Sequence, residues 1–242
     1  MYKSLVLIVL MLCAFALGAE LVIEENWSYT QGTAVTTDNS NYSINLPGGD
    51  ILVVGGVGIQ NANNSYNVYP CATRFNPNGS IEWQRNYTNI SILENLDSEV
   101  VYAAIRSNGN IFLGVELISG GASFVTIDPS NGDVVSSVRL YTSLPAITLL
   151  EDDYVIIGRN FSVSKATFSK YTLGGSLINT VEYDVAGVND IVNSLTAASD
   201  GGFWMAGKQG SKALVVKFDS VMAVEEEYAF QEDSGFGYEA QK

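Results

Sequence analysis

Short runs of alternating apolar and polar residues, separated by Gly, Asn and Asp, fill the chain and predict β-strands joined by turns. One order of features recurs four times: a turn, a strand ending in Gly, a loop, a second strand, another turn and a strand closing on Tyr. The first copy runs from Leu46 to Tyr87, and the fourth runs from Ser199 to Tyr228. No segment sustains a 3.6-residue period, so we expect almost no helix.

The length of this repeat indicates the architecture. The strand-ending Gly residues at positions 55, 114, 158 and 207 are 59, 44 and 49 residues apart. The closing Tyr residues at positions 87, 141, 183 and 228 are 54, 42 and 45 residues apart, and we expect them to pack with Trp83 in the core or between repeats. These periods fit one four-stranded sheet per repeat. The sequence therefore predicts an all-β propeller with four full four-stranded blades, at about residues 34–87, 98–141, 147–183 and 191–228.

Two sets of tight turns are predicted within the blades, because Gly and Asn readily take the positive φ that such turns need. Weaker signals occur at Asp152-Asp153 and Ser220-Val221. Since antiparallel strands alternate in direction, both sets must lie on one face of the disc. The opposite face receives the segments of variable length, and any partner is expected to bind there. These segments are 57–67, 88–97, 116–122, 142–146, 159–165, 184–190 and 208–212.

The two ends of the chain predict further strands and export. Residues 21–29 match the outer strand at 80–87, and residues 235–242 read as the first strand of another blade. We therefore expect partial blades at both ends and an incomplete ring from a longer propeller. Residues 1–18 have a short apolar run after Lys3 and small residues before a cleavage site, which predicts a signal peptide. An uncleaved anchor is the alternative. The mature β-propeller repeat domain, 19–242, would be secreted, periplasmic or on the cell surface, without membrane insertion after cleavage.

The composition excludes several classes of function. The formal net charge is −14, which disfavours nucleic acid as a partner. The chain has no His, so His-dependent catalytic triads and His-ligated zinc sites are excluded. Cys71 alone would remain after cleavage, so no intramolecular disulfide is expected.

Candidate chemistry is weak. The segment 202–209 approaches a phosphate-binding loop but lacks the Ser or Thr that holds magnesium and a following helix. Asp152-Asp153 and Glu225–Glu227 are interpreted as solvated carboxylates. Five more carboxylates fall on the loop-rich face as candidate calcium ligands, without the spacing that wraps an ion. These are Glu94, Asp97, Glu116, Asp184 and Asp190. The sequence thus predicts no catalytic, cofactor-binding or metal-binding residue and no cofactor.

One resemblance adds to this interpretation. Ser199–Phe203 with Gly207, and Lys217–Asp219, resemble the delta-sixty type of propeller repeat found in exported bacterial proteins, as does Asn78–Trp83. The resemblance covers about residues 21–242. It implies a propeller and export, and this family has no common catalytic residues.

A second resemblance, to quinoprotein-type propellers, rests on Asp128–Gly132. Ser136 stands where those repeats have Trp, and the adjacent cysteine pair of their quinone site is impossible with Cys71 alone. We therefore expect no quinone cofactor.

The hypothesis that follows is an exported, acidic, non-enzymatic propeller that binds a protein or glycan partner or serves as a surface scaffold. The alternative is a carboxylate-based propeller glycosidase or lyase, which would place two carboxylates from different blades opposite each other near the axis.

Overall fold

The protein is all-β in a computed structural model that describes residues 39–60, 66–88, 90, 97–117, 120–162, 165–183 and 190–230. Sixteen strands are present in these ranges, and no helix able to span a membrane occurs there. The strands are β1 (Asn39–Asn45), β2 (Ile51–Gln60), β3 (Tyr66–Phe75), β4 (Ile81–Asn86), β5 (Ser98–Ile105), β6 (Ile111–Leu117), β7 (Ala122–Ile127), β8 (Val134–Leu140), β9 (Ala146–Leu149), β10 (Tyr154–Ser162), β11 (Lys165–Thr172), β12 (Leu177–Tyr183), β13 (Asp190–Ala197), β14 (Phe203–Gln209), β15 (Lys212–Phe218) and β16 (Val224–Phe230).

The strands form four antiparallel sheets in which each strand pairs with the next along the chain. We number them sheet 1 (β1–β4), sheet 2 (β5–β8), sheet 3 (β9–β12) and sheet 4 (β13–β16). The first strand of each sheet contacts the preceding sheet: β5 touches β1, β2 and β3, and β13 touches β9, β10 and β11. This is the arrangement of propeller blades, and the prediction of four full four-stranded blades is confirmed. The predicted partial blade strands, 21–29 and 235–242, lie outside the described residues.

The core lies between the faces of neighbouring sheets. Leu52 and Val54 of sheet 1 pack with Leu113 of sheet 2 in one cluster. We call the contact between two neighbouring sheets a seam. The seam between sheets 3 and 4 is aromatic, because the Phe168 ring of sheet 3 lies 4.8 Å from the Phe218 ring of sheet 4. Each such buried side chain contributes roughly 1.5–3 kcal/mol of transfer free energy. Burial between sheets is therefore what holds the blades together.

The tight turns form where the sequence predicts them, including the two weak ones. Asp153 and Met222 have φ values of 62° and 69°, at sites where other turns place glycine, such as Gly132. The Asp219 carboxylate stabilises its turn by accepting hydrogen bonds from the Val221 and Ala223 amides. Side-chain hydrogen bonding thus accompanies a left-handed residue that is not glycine.

Each outer strand contains a one-residue bulge at the same place. In sheet 1, Trp83 pairs with Arg74 and Ile81 pairs with Phe75, which leaves Glu82 as the extra residue. The same shift in sheets 2, 3 and 4 makes Val135, Ile178 and Glu225 the extra residues. A bulge turns side chains outward and interrupts the free edge of the strand.

Two expectations about position were wrong. Tyr141 is 95% exposed and Tyr228 is also exposed, whereas Leu140 occupies the buried register position. Four predicted loops are shorter than expected, because cross-strand pairing continues into them as far as Gln60–Tyr66, Glu116–Ala122, Ser162–Lys165 and Gln209–Lys212. They are 57–67, 116–122, 159–165 and 208–212. The face opposite the tight turns is therefore less rich in loops than we expected.

Glycine is required where a bulge in a first strand meets the second strand. A Cβ added to Gly207 would overlap the backbone oxygen of Ile191. We expect Gly207→Ala to lower the free energy of unfolding by about 2–4 kcal/mol, because backbone must move to admit the methyl group. Gly174→Ala is the control, since its Cβ would meet only the Thr172 hydroxyl at 3.7 Å, and it should change stability by less than about 0.5 kcal/mol. Urea unfolding monitored by circular dichroism measures both, and equal effects would contradict the explanation.

Candidate functional site

Of the carboxylates expected on the loop-rich face, those of Asp97 and Glu116 accept hydrogen bonds from backbone amides of other segments. The Asp97 carboxylate accepts a hydrogen bond of 2.8 Å from the Val68 amide, and Glu116 accepts one of 3.4 Å from the Leu144 amide. Glu94 and Asp184 lie outside the described residues, as does the side chain of Asp190. No group of three potential metal ligands occurs within the described ranges. The described carboxylates therefore bind neighbouring backbone amides.

Glu99 was not singled out from the sequence. It is the cross-strand partner of Glu116 and accepts a hydrogen bond of 2.9 Å from Asn41 of sheet 1. Its place between sheets 1 and 2 follows from the pairing of β5 with β6, and no local sequence motif indicates that pairing. It acts as another link between sheets.

A cation in the third strand of a sheet reaches the next sheet. Arg74 forms an ion pair with Asp50 and donates a hydrogen bond of 2.6 Å to the Pro129 carbonyl oxygen of sheet 2. Lys170 stands at the equivalent position in sheet 3 and donates to the Ser220 carbonyl oxygen of sheet 4 at 3.4 Å. These two carbonyl groups belong to equivalent turns, so the contact is a repeated link between sheets.

Lys217 holds the same position in sheet 4 and binds two carboxylates, Asp200 at 2.5 Å and Glu225 at 2.7 Å. The hydrogen bond with Asp200 raises the pKa of the Lys217 ammonium group, and the same bond lowers the pKa of the Asp200 carboxyl group. Glu225 is thus more than a solvated charge.

Aromatic side chains add two more links. The Tyr87 hydroxyl donates to the Gly132 carbonyl oxygen at 3.1 Å, and the Tyr183 hydroxyl donates to Glu227 at 2.8 Å. Burial raises the pKa of Tyr87, which keeps its hydroxyl protonated as a donor. The expectation that Trp83, Tyr87 and Tyr183 pack between repeats is confirmed, since all three are buried.

Asp153 is also more than a solvated turn residue. Its carboxylate pairs with Arg106 at 3.0 Å and accepts a 2.9 Å hydrogen bond from the Ser107 hydroxyl, which joins the first turns of sheets 2 and 3. Burial alone would raise its pKa, but the hydrogen bonds from Arg106 and Ser107 hold the pKa below its ordinary value. The neighbouring Asp152 is exposed, as expected, and its carboxylate also forms an ion pair of 3.8 Å with Lys170.

The structure also describes a small cavity and the segment 202–209. A cavity of about 220 Å³ lies between sheets 1 and 2 and is lined mainly by apolar groups such as Leu46, Pro47 and Pro129. Ligand pockets are usually about 300–1,000 Å³. The segment that approached a phosphate-binding loop contains strand β14 and is followed by β15, so the helix that would bind phosphate is missing there.

One group of exposed apolar side chains lies at the start of the outer strands of sheets 2 and 3. Sheets 2 and 3 each begin their outer strand with two apolar residues, which are between 40% and 57% exposed. The turn before β12 packs on β8, because a Cβ on Gly175 would lie 3.0 Å from Val138. The two pairs therefore lie on adjacent sheets that touch. We name them the rim patch: Val134, Val135, Leu177 and Ile178.

Sequence reasoning missed the rim patch, although a signal for it is present. In both sheets an apolar pair follows the turn glycine after one polar residue, Gly132-Asp133 and Gly175-Ser176. In a strand whose side chains alternate strictly between the two faces, one residue of each pair would be buried. The bulge turns both residues of each pair outward.

Comparison with known proteins supports the fold alone. The sequence matches no protein-family model, and no curated protein is similar to it in sequence. The structure is similar to a protein of unknown function from Bacteroides caccae, with a TM-score of 0.52, 13% identity and coverage of 84% of this chain and 64% of that chain. It is also similar to polysaccharide lyase Uly1, with a TM-score of 0.50, 10% identity and coverage of 79% of this chain and 49% of that chain. The Dos1 propeller matches with a TM-score of 0.48, 12% identity and coverage of 81% and 63%.

The chain thus spans between about half and two thirds of the length of these structures. At such identities a common fold carries no activity from one protein to another.

The Asp153 link makes stability depend on pH. A carboxyl group whose pKa is lower in the folded state stabilises the fold above its unfolded pKa of about 3.9, and this is lost as the pH falls through the folded pKa. We expect Asp153→Asn, which keeps the left-handed backbone, to lower the free energy of unfolding by about 1 kcal/mol or more at pH 7. The deficit should shrink toward zero in acid. Urea unfolding across this pH range measures it, with Glu151→Gln, an exposed carboxylate of the same turn, as the control; a deficit independent of pH would contradict the role of the charge.

Proposed function

We propose that this protein is an exported, non-enzymatic propeller of the delta-sixty type that binds a protein partner through the rim patch. The observation that carries the proposal is the exposure of two apolar pairs on adjacent sheets of an otherwise acidic chain. Exposed apolar groups with a polar surround are typical of protein-binding surfaces. Residues 1–18 supply the export signal in this proposal.

The pattern of residues around the patch supports this choice. At the bulge, sheets 1 and 4 carry Glu82 and Glu225, whereas sheets 2 and 3 carry Val135 and Ile178. The fold therefore accepts a charged residue at this position. An apolar residue there adds no buried core contact, since Val135 and Ile178 are exposed. A partner that covers them would bury this apolar surface.

A non-enzymatic role is supported by the way the carboxylates are used. A glycosidase needs an acid and a base or nucleophile on either side of the scissile bond, about 5–9.5 Å apart. Asp97 and Glu116 instead accept hydrogen bonds from backbone amides, and Glu99 accepts one from Asn41. These contacts engage one oxygen of each carboxylate in joining segments of the fold.

We expect the double variant Val135→Glu and Ile178→Glu to lose the partner while folding normally, because Glu already occupies this site in sheets 1 and 4. The partner is first isolated from extracellular proteins of the source cells with the immobilised chain, then purified. Calorimetric titration of the purified partner should show an affinity at least about tenfold lower for the double variant. Ser136→Glu, exposed on the same strand, is the matched control and should bind as the native protein does.

Equal affinity for the native chain and the double variant would exclude the rim patch as the binding surface. A glycan array incubated with the same three proteins tests the glycan alternative. Glycan binding that the double substitution leaves unchanged would favour that alternative. Release of sugar fragments from a bound polysaccharide would overturn the non-enzymatic assignment.

A further inference from the structure

Sheets 1, 2 and 3 each bury one face against the next sheet, and equivalent residues define this leading face. At one register position of the outer strand stand Tyr87, Leu140, Tyr183 and Phe230. The first three are 5–7% exposed, whereas Phe230 is 56% exposed. The leading face of sheet 4 thus has the side chain of a buried seam at a position exposed to solvent.

The same comparison holds further in from the rim. In the third strands, Ala72, Phe124 and Phe168 are buried, whereas the equivalent Val215 is only half-buried. In the second strands, the equivalents of Trp204 in the first three sheets are fully buried, and Trp204 itself is half-buried. We define the leading face of sheet 4 by Trp204, Ala206, Val215, Lys217 and Phe230.

The polar groups of this face match a seam as well. Lys217 is the equivalent of Arg74 and Lys170, which both donate to a turn carbonyl of the following sheet. In sheet 4 the ammonium group binds Asp200 and Glu225 of its own sheet. The face therefore combines apolar positions with the cation used at two of the three seams.

The structure also indicates which element covers the inner part of such a face. A Cβ on Gly114 of sheet 2 would lie 3.0 Å from the Ile147 side chain of β9, and one on Gly158 of sheet 3 would lie 3.0 Å from the Val192 side chain of β13. Small residues there leave room for the first strand of the next sheet. Ala206, at the equivalent position of sheet 4, is also small.

The chain itself supplies a matching strand. The outer strands of sheets 1, 2 and 3 are each followed, after a connection, by the first strand of the next sheet, as β8 is followed by β9 across residues 141–145. Beyond β16, residues 235–242 place Phe236, Tyr238 and Ala240 at alternate positions, as a strand with one apolar side does. We propose that residues 235–242 lie over the leading face of sheet 4 as the first strand of a fifth sheet and cover Ala206.

This proposal is independent of the rim patch and is tested by covalent labelling of Ala206→Cys in the full chain. A strand over this position blocks a thiol reagent, so Cys at 206 should react at least about tenfold more slowly than Cys in the exposed control Ser136→Cys. Deleting residues 235–242, or introducing Phe236→Asp with Tyr238→Asp, should raise its rate toward that of the control. Mass spectrometry identifies the labelled site and separates it from Cys71.

Two results would overturn the proposal. If the thiol of Ala206→Cys reacts as fast as the control in the intact chain, no strand covers the leading face of sheet 4. Protection that grows with protein concentration, together with a dimer in sedimentation, would mean that a second copy covers the face instead. Circular dichroism of the deletion and of the double substitution distinguishes exposure of the face from unfolding, since both variants must keep the β-sheet spectrum for a rise in rate to support the proposal.

Discussion

Burial of each sheet face against the next sheet is the constraint on which the structure depends. A sheet of four short strands cannot bury enough apolar surface alone, so it must share its faces with neighbours. The seams meet this need in different ways, with mainly aliphatic residues between sheets 1 and 2 and a cluster of Phe rings between sheets 3 and 4. What repeats is the position of the buried side chain rather than its identity.

Polar contacts follow the same seams. Charge-assisted hydrogen bonds from Arg74 and Lys170 tie the third strand of one sheet to a turn of the next, and those from Arg106 tie two turns together. Such contacts set the angle and register between sheets, since apolar packing alone is not directional.

The local features of the fold were predictable, and the features that depend on register were not. Gly and Asn identified most turns because positive φ is a property of a few residues. The register position of Tyr87 and Tyr183 was misassigned in the other two repeats, because Leu140 and Phe230 occupy it there and the expected Tyr141 and Tyr228 stand at other positions of the strand. The roles of Asp153 and Glu227 were missed because both depend on partners more than 40 residues away. The rim patch could not be predicted without the bulge, because the bulge is what turns both residues of each pair outward.

The pairing of each strand with the next one along the chain has a consequence for how the protein is made. Every described sheet consists of one continuous stretch, so it can form before the stretches that follow it have been synthesised. A newly completed sheet then offers its leading face as a template for its successor. Assembly can thus proceed vectorially, one sheet at a time from the amino terminus, while the rest of the chain is still being synthesised.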